Sequence, residues 1–265
     1  MSPAHCFMFY EHHRDLCTDW LDAVTQIFSL FGLEPSHVLA TGPKKKINGG
    51  YSRVRKRLSA FVQEHSRSDD FDVQIDSRRR HEYEDFLPCD LRLAWNNSTA
   101  DIAAGMVSVR SERAGGLADM ADRVAPIVYG QIGPAYANAF DFPAIYGPGY
   151  YLSSVGTFLR GQSTLANEEY NARMTRWRDR VWHDGKRPSQ GYFREIYPIN
   201  FLFETQLSSS FRGRNLSDYM LEHGSLERCE FDAGIFRWDI EPGTLHVVRR
   251  DLETSGLVLS SPVVK

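Results

Sequence analysis

The chain has 265 residues, 42% of them hydrophobic and 25% charged, with 31 Lys and Arg set against 34 Asp and Glu for a net charge of −3. That is globular composition with enough length to bury a core unaided by disulfides or metal, and its charge balance excludes a global attraction to nucleic acid or anionic lipid. No apolar run approaches the ~18 residues of a membrane span.

"HCFMFY" (5–10) reads as a short aromatic strand. A helix follows from about Asp15, with Leu16, Trp20, Val24, Ile27 and Phe31 at helical spacing and Gly32 to end it. "SHVLAT" is a second strand closed by Gly42-Pro43, and Tyr51, Val54, Leu58, Phe61 and Val62 mark a second amphipathic helix. "FDVQID", "CDLRLAW" and "AGMVSVR" alternate apolar and polar residues as half-buried strands do, with "NNSTAD" a hairpin loop. Leu117, Met120, Val124, Ile127 and Val128 predict a third helix, so the first half reads β-α-β-α-β-β-β-α.

Gly130 to Gly156 is rich in Gly, Pro and Tyr and reads as a boundary or a long ordered loop. Beyond it, Tyr170, Met174, Trp177 and Val181 lie on one helical face. A strand around Ile196 to Thr205 precedes a short helix in "NLSDYMLEHG". "SLERCEF" and "GIFRWDI" pair through Asp232-Ala233-Gly234; a last helix runs from Pro242 to Gly256; and "LVLS" is a closing edge strand. Hairpins outnumber crossovers. The predicted class is α+β, a largely antiparallel or mixed sheet with helices packed on one face, in an N-terminal half (1–135) and a C-terminal half (136–265), or one continuous domain.

The chain carries no recognised reactive-group motif. G-x-S-x-G, a Walker loop, H-E-x-x-H and a kinase set are absent, and "YGPGYYLSSVG" has two of the three glycines of a dinucleotide loop and follows no clear strand. His5, Cys6, His12, His13 and Cys17 are the densest potential metal ligands, but their spacing fits no standard zinc pattern. No E-x-K triplet offers nuclease carboxylates. No catalytic, cofactor-binding or metal residue is therefore predicted, and the chain reads as a non-enzyme with no cofactor. Cys6, Cys17, Cys89 and Cys229 form no C-x-x-C pair, and "MSPAHCFMFYEHHRD" lacks a signal peptide's basic start and cleavage site. Reduced thiols in a cytoplasmic protein are the expectation.

"GPKKKINGGYSRVRKRL" (42–58) holds seven basic residues and no acidic one. It reads either as a phosphate-contacting loop and helix with Tyr51 interleaved, or as the solvent stripe of an amphipathic helix. Acidic residues elsewhere balance the charge, which favours the stripe.

"REIYPINFL" (194–202) is an apolar run with two unusual members: Pro198 cannot donate to a ladder, and Asn200 has an amide to satisfy. With the stretches that follow it, from Phe193 to Leu259, it resembles the C-terminal part of the bacterial immunity protein 52 family. Tyr197, Pro198, Asn200, Phe201, Leu202, Leu216, Gly224, Leu226, Trp238, Val248, Arg249, Leu252 and Gly256 carry the match. The resemblance implies an antidote to a restriction-endonuclease-like toxin of polymorphic and type VI secretion systems. Such a protein works by binding a cognate toxin; no membrane partner is expected, and the charge balance argues against nucleic acid. On this reading Tyr197, Pro198, Asn200, Trp238 and Gly256 specify the fold. Pro198 suits an edge strand or bulge, Asn200 bonds a nearby chain reversal, and Trp238 caps the core with its indole N–H on a carbonyl. The expected contacts are Glu82, Tyr83, Glu84 and Asp85, and Tyr146, Tyr150 and Tyr151. The rival reading is a nucleic-acid binder or enzyme using Lys44 to Arg57.

Overall fold

The structure is a computed structural model that describes residues 3–12, 19–66, 68, 70–78, 89–99, 102–143 and 165–262. In chain order the strands are β1 (Pro3–His12), β2 (His37–Gly42), β3 (Lys45–Gly50), β4 (Asp72–Arg78), β5 (Cys89–Thr99), β6 (Ile102–Arg110), β7 (Pro134–Pro143), β8 (Ile199–Phe203), β9 (Ser210–Phe211), β10 (Arg214–Asn215), β11 (Gly224–Arg228) and β12 (Ile235–Ile240). The helices are α1 (Asp19–Leu30), α2 (Tyr51–His65), α3 (Ser111–Ala114), α4 (Leu117–Gln131), α5 (Leu165–Asp184), α6 (Glu204–Leu207), α7 (Leu216–Glu222) and α8 (Leu245–Thr254).

Ten strands form one antiparallel sheet in the order β11-β12-β8-β7-β1-β6-β5-β4-β2-β3, and β9 and β10 make a separate small ribbon. The class is α+β. Alternation along β1 shows how the sheet is covered: Phe7 and Phe9 enter one core, while Ala4, Cys6, Met8 and Tyr10 enter the other. The first core packs α1, α2 and α4 against the sheet. The second packs α5, α7 and α8 against the opposite face. Helices thus keep to one face within each half, but the halves use opposite faces. A run such as "HCFMFY", apolar at successive positions, is what a strand covered on both sides requires.

The Gly/Pro/Tyr-rich segment was expected to be a loop or boundary, yet its first part is a central strand. β7 pairs with β1 along its length and with β8 through Ala137 to Ala139. Its small residues Ala137 and Ala139 meet the first core, and Tyr136, Phe140 and Phe142 the second. Position 135/136 falls inside this strand, which joins the two halves in one sheet. β3 is a further strand in a stretch read as a loop and helix start. "LVLS" is no edge strand; it makes a single parallel bridge, Val258 to Phe193.

Two glycines are required, one by a close contact and one by its backbone angle. A Cβ on Gly224 would lie 1.9 Å from the Asp239 carbonyl oxygen across the β11–β12 pair. Gly256, at φ +77°, turns the chain after α8 in the left-handed region. Among the described residues no helix is long and apolar enough to cross a membrane.

Candidate functional site

Glu82, Tyr83, Glu84, Asp85, Tyr146, Tyr150 and Tyr151 lie outside the described residues. The stretch that carries the family resemblance, in contrast, builds one well-defined place. The chain from Phe193 to Pro198 runs beside the C-terminal segment, with Phe193 N bonded to Leu257 O at 2.9 Å and Leu259 N to Phe193 O at 2.8 Å. It then becomes β8.

β8 lies between β7 and β12, so Pro198 is neither on an edge strand nor at a bulge. It immediately precedes the strand, where its missing N–H leaves no ladder bond unmade, and its carbonyl accepts from Ile240 N at 2.9 Å. Asn200 is fully buried. Its Oδ1 accepts from Tyr197 N at 3.2 Å and its Nδ2 donates to Tyr197 O at 2.6 Å. The Tyr136 hydroxyl lies 2.7 Å from the Glu195 carbonyl and 3.3 Å from Asn200 Oδ1. Trp238 is buried in the second core, and its indole N–H donates to Met220 O at 3.1 Å.

Above this stretch lies a cleft of about 300 Å³, lined among others by Phe140, Glu169, Arg173, Glu195, Tyr197 and Pro198. Arg173 and Arg249 line both this cavity and a second of about 350 Å³ along α8. The Tyr197 ring stacks on Phe140 at 3.9 Å between centroids. Glu195 is only 4% exposed. One of its oxygens meets Arg173 Nη1 at 3.0 Å and the other accepts from the Tyr197 hydroxyl at 3.1 Å. Arg173 also reaches Glu253 at 2.9 Å and Glu169 at 3.1 Å. Burial opposes the Arg173 charge, but Glu195, Glu253 and Glu169 outweigh it and raise the pKa above the usual arginine value. Arg249 donates from Nε to Ile196 O at 2.8 Å and sits over the Tyr197 ring.

Chemically, this is a compensated ion-pair network. Both Glu195 oxygens are engaged, which holds the carboxylate in place, and among the described residues the 300 Å³ cleft has no Ser, Thr, Cys or His in its lining. Its work is to brace the bend at Pro198, which leads into β8, against α5 and α8. α5 also clamps the C-terminal segment: Arg176 Nε bonds Ser260 O at 2.7 Å, and Arg180 bonds Val258 O and Ser261 O at 3.1 Å each. Arg194, 1% exposed, donates to the Tyr10 hydroxyl at 2.7 Å with Trp177 within cation–π distance. Burial raises the pKa of Tyr10, and Arg194 opposes that rise. Sequence reasoning missed the network of Arg173, Glu195 and Glu253, and the buried Arg194 beside it. The available signal was an Arg-Glu pair embedded in the apolar run "FREIYPINFL".

Of the potential ligands near the start of the chain, the structure describes the side chains of His5 and Cys6. His5 pairs with Asp141 at 2.5 Å, Cys6 points into the opposite core, and His13 and Cys17 lie outside the described residues. Among the described residues no three His, Cys, Asp or Glu converge to hold a metal ion. The basic segment becomes the turn before β3, β3 itself and the start of α2; its cations are all exposed, and Tyr51 is buried in the first core.

No family model and no curated protein matches the chain. A solved structure, that of the Pseudomonas aeruginosa T6SS protein PA0821, shares its fold with a TM-score of 0.57 at 9% sequence identity, covering 100% of this chain and 76% of that one. At that identity the likeness is one of fold alone.

Proposed function

We propose that the chain is an immunity protein that binds a cognate secreted nuclease-type toxin and neutralises it by occluding or distorting its active site. The observation that carries the reading is the C-terminal succession from Phe193 to Leu259, whose unusual members Pro198 and Asn200 form, with Tyr197, a braced bend into β8. A fold held in common with a T6SS protein over the whole of this chain supports the same context. A binding protein of this kind needs a rigid platform and a complementary surface of ~800 Å² per partner, with a few aromatic and arginine anchors near its centre.

The contacts proposed from composition remain Glu82 to Asp85 and Tyr146, Tyr150 and Tyr151. Trp182 on α5 joins them: it is 54% exposed, with the Arg178 guanidinium 5.7 Å from its ring centroid. The test is co-expression with the product of a neighbouring toxin gene. Rescue of growth and a stoichiometric complex on size exclusion are expected. Absence of both with every adjacent candidate overturns the reading, and an intact complex after alanine replacement of these contacts removes them as anchors.

A further inference from the structure

The two readings of the basic segment can be weighed against its geometry. Lys44, Lys45, Lys46, Arg53, Arg55, Lys56 and Arg57 are all exposed, on the turn before β3, on β3 at the free edge of the ten-stranded sheet, and on the adjoining start of α2. Only Lys45 has a carboxylate partner among the described residues, Glu64 at 2.6 Å. These seven cations face none of the chain's 34 acids within the segment, so the remaining 24 Lys and Arg leave the rest of the protein ten acids in excess.

Fold stability does not account for the arrangement. Lysines on an edge strand do discourage edge-to-edge pairing, but α2 is a different case. A helix favours acids in its first turn and cations in its last, whereas α2 has no acid in its first turn and carries Arg53, Arg55, Lys56 and Arg57 near its start. Arg53 and Arg57 are a like-charge pair four residues apart, which costs a few tenths of a kcal/mol. An ordinary solvent stripe would mix the signs.

The character of the surface also narrows its partner. Protein interfaces are poor in Lys and centre on apolar or aromatic anchors. Here four of the seven cations are Lys, while Ile47 and Tyr51, the large apolar residues of the segment nearest them, are turned into the core. With Tyr51 buried there is no exposed ring within the segment for stacking bases. What remains is a surface that contacts charge alone. We infer that the β3–α2 edge binds the phosphate backbone of nucleic acid without reading its sequence. This surface is independent of the immunity reading.

The experiment titrates the full chain into a short labelled DNA duplex of arbitrary sequence over a salt series, followed by fluorescence anisotropy. Binding at low salt is expected, with log K falling against log salt at a slope of about 3–5, roughly 0.9 for each phosphate contacted. The quadruple variant K44E/K46E/R53E/K56E alters exposed positions only, and its fold is checked by circular dichroism. It should lose at least tenfold in affinity and most of the salt slope, while R228E/R250E, on other elements, keeps both. The inference is overturned by the absence of binding at low salt, or by a quadruple variant that binds as the parent does. It is equally overturned if the parent ignores the duplex and the quadruple variant loses toxin rescue, which would assign this surface to an acidic protein face.

Discussion

Asn138 of β7 and Asn200 of β8 stand opposite each other in register, both fully buried, and satisfy their amides very differently. Asn200 closes two bonds on the Tyr197 backbone. Asn138 lies near enough to the Tyr10 and Tyr136 hydroxyls to oppose the burial-driven rise in their pKa, but neither amide atom has a partner at hydrogen-bonding geometry among the described residues. Asn200→Leu should therefore cost about 2–3 kcal/mol, because it strands buried backbone groups of Tyr197. Asn138→Leu should cost under ~1 kcal/mol, since it removes polar atoms that were already unpaired. Urea denaturation of both variants checks this, and the reverse order of stabilities sinks it.

Arg173 compensates the charge of Glu195, which is buried from solvent and otherwise held by the Tyr197 hydroxyl. Arg173→Ala should destabilise by about 3–5 kcal/mol, the usual range for removing one member of a buried pair. Adding Glu195→Gln should recover part of that loss, because the stranded charge is then gone. A double variant no more stable than the single one would show that the carboxylate is not what suffers.

Asp72 gives a pH prediction. Burial raises its pKa, against the pull of Asn96, Gln74 and Arg92. A carboxyl whose folded pKa lies above its unfolded value favours the fold at low pH, and that contribution is lost as pH rises through the folded pKa. Asp72→Asn should therefore be more stable than the parent at neutral pH, with the difference shrinking as pH falls below the ordinary carboxylate range. Melting temperatures of the two proteins across that range test the sign.

Burial pushes the thiols of Cys6 and Cys89 up to about 12, and Cys229 to about 11. Only the thiolate reacts with alkylating reagents. In the native protein at pH 8, Cys6 and Cys89 should stay unmodified by iodoacetamide over times that label an unfolded sample fully, as read by peptide mass spectrometry. Labelling of either at the unfolded rate would contradict the packing of the second core, which holds both thiols.

Most strands and helices were legible because their periodicity is strong, as in α2, where Val54, Leu58, Phe61 and Val62 repeat along one face. β7 was not, because "PAYANAFDFP" alternates alanines with large residues between Pro and Gly, and small residues carry little hydrophobic signal. The placement of helices on both faces was hidden for a related reason: a strand buried on both sides has no polar alternation to report its orientation. The ion-pair network of Arg173, Glu195 and Glu253 joins positions up to 80 residues apart, which no local pattern encodes. The oddity of Pro198 and Asn200 was visible; that Pro198 precedes an interior strand was not.

The place of β1 has a consequence for how the protein is made. Its partners are β6 and β7, so the residue opposite His5 on one side is Val109 and on the other Asp141. A ribosome releases β1 ahead of both partners, and this strand must wait, with apolar groups on both of its sides, until β6 (Ile102–Arg110) and then β7 (Pro134–Pro143) have emerged. Long-range pairing of this kind folds slowly, so nascent chains should depend on chaperones that shield "HCFMFY" during translation.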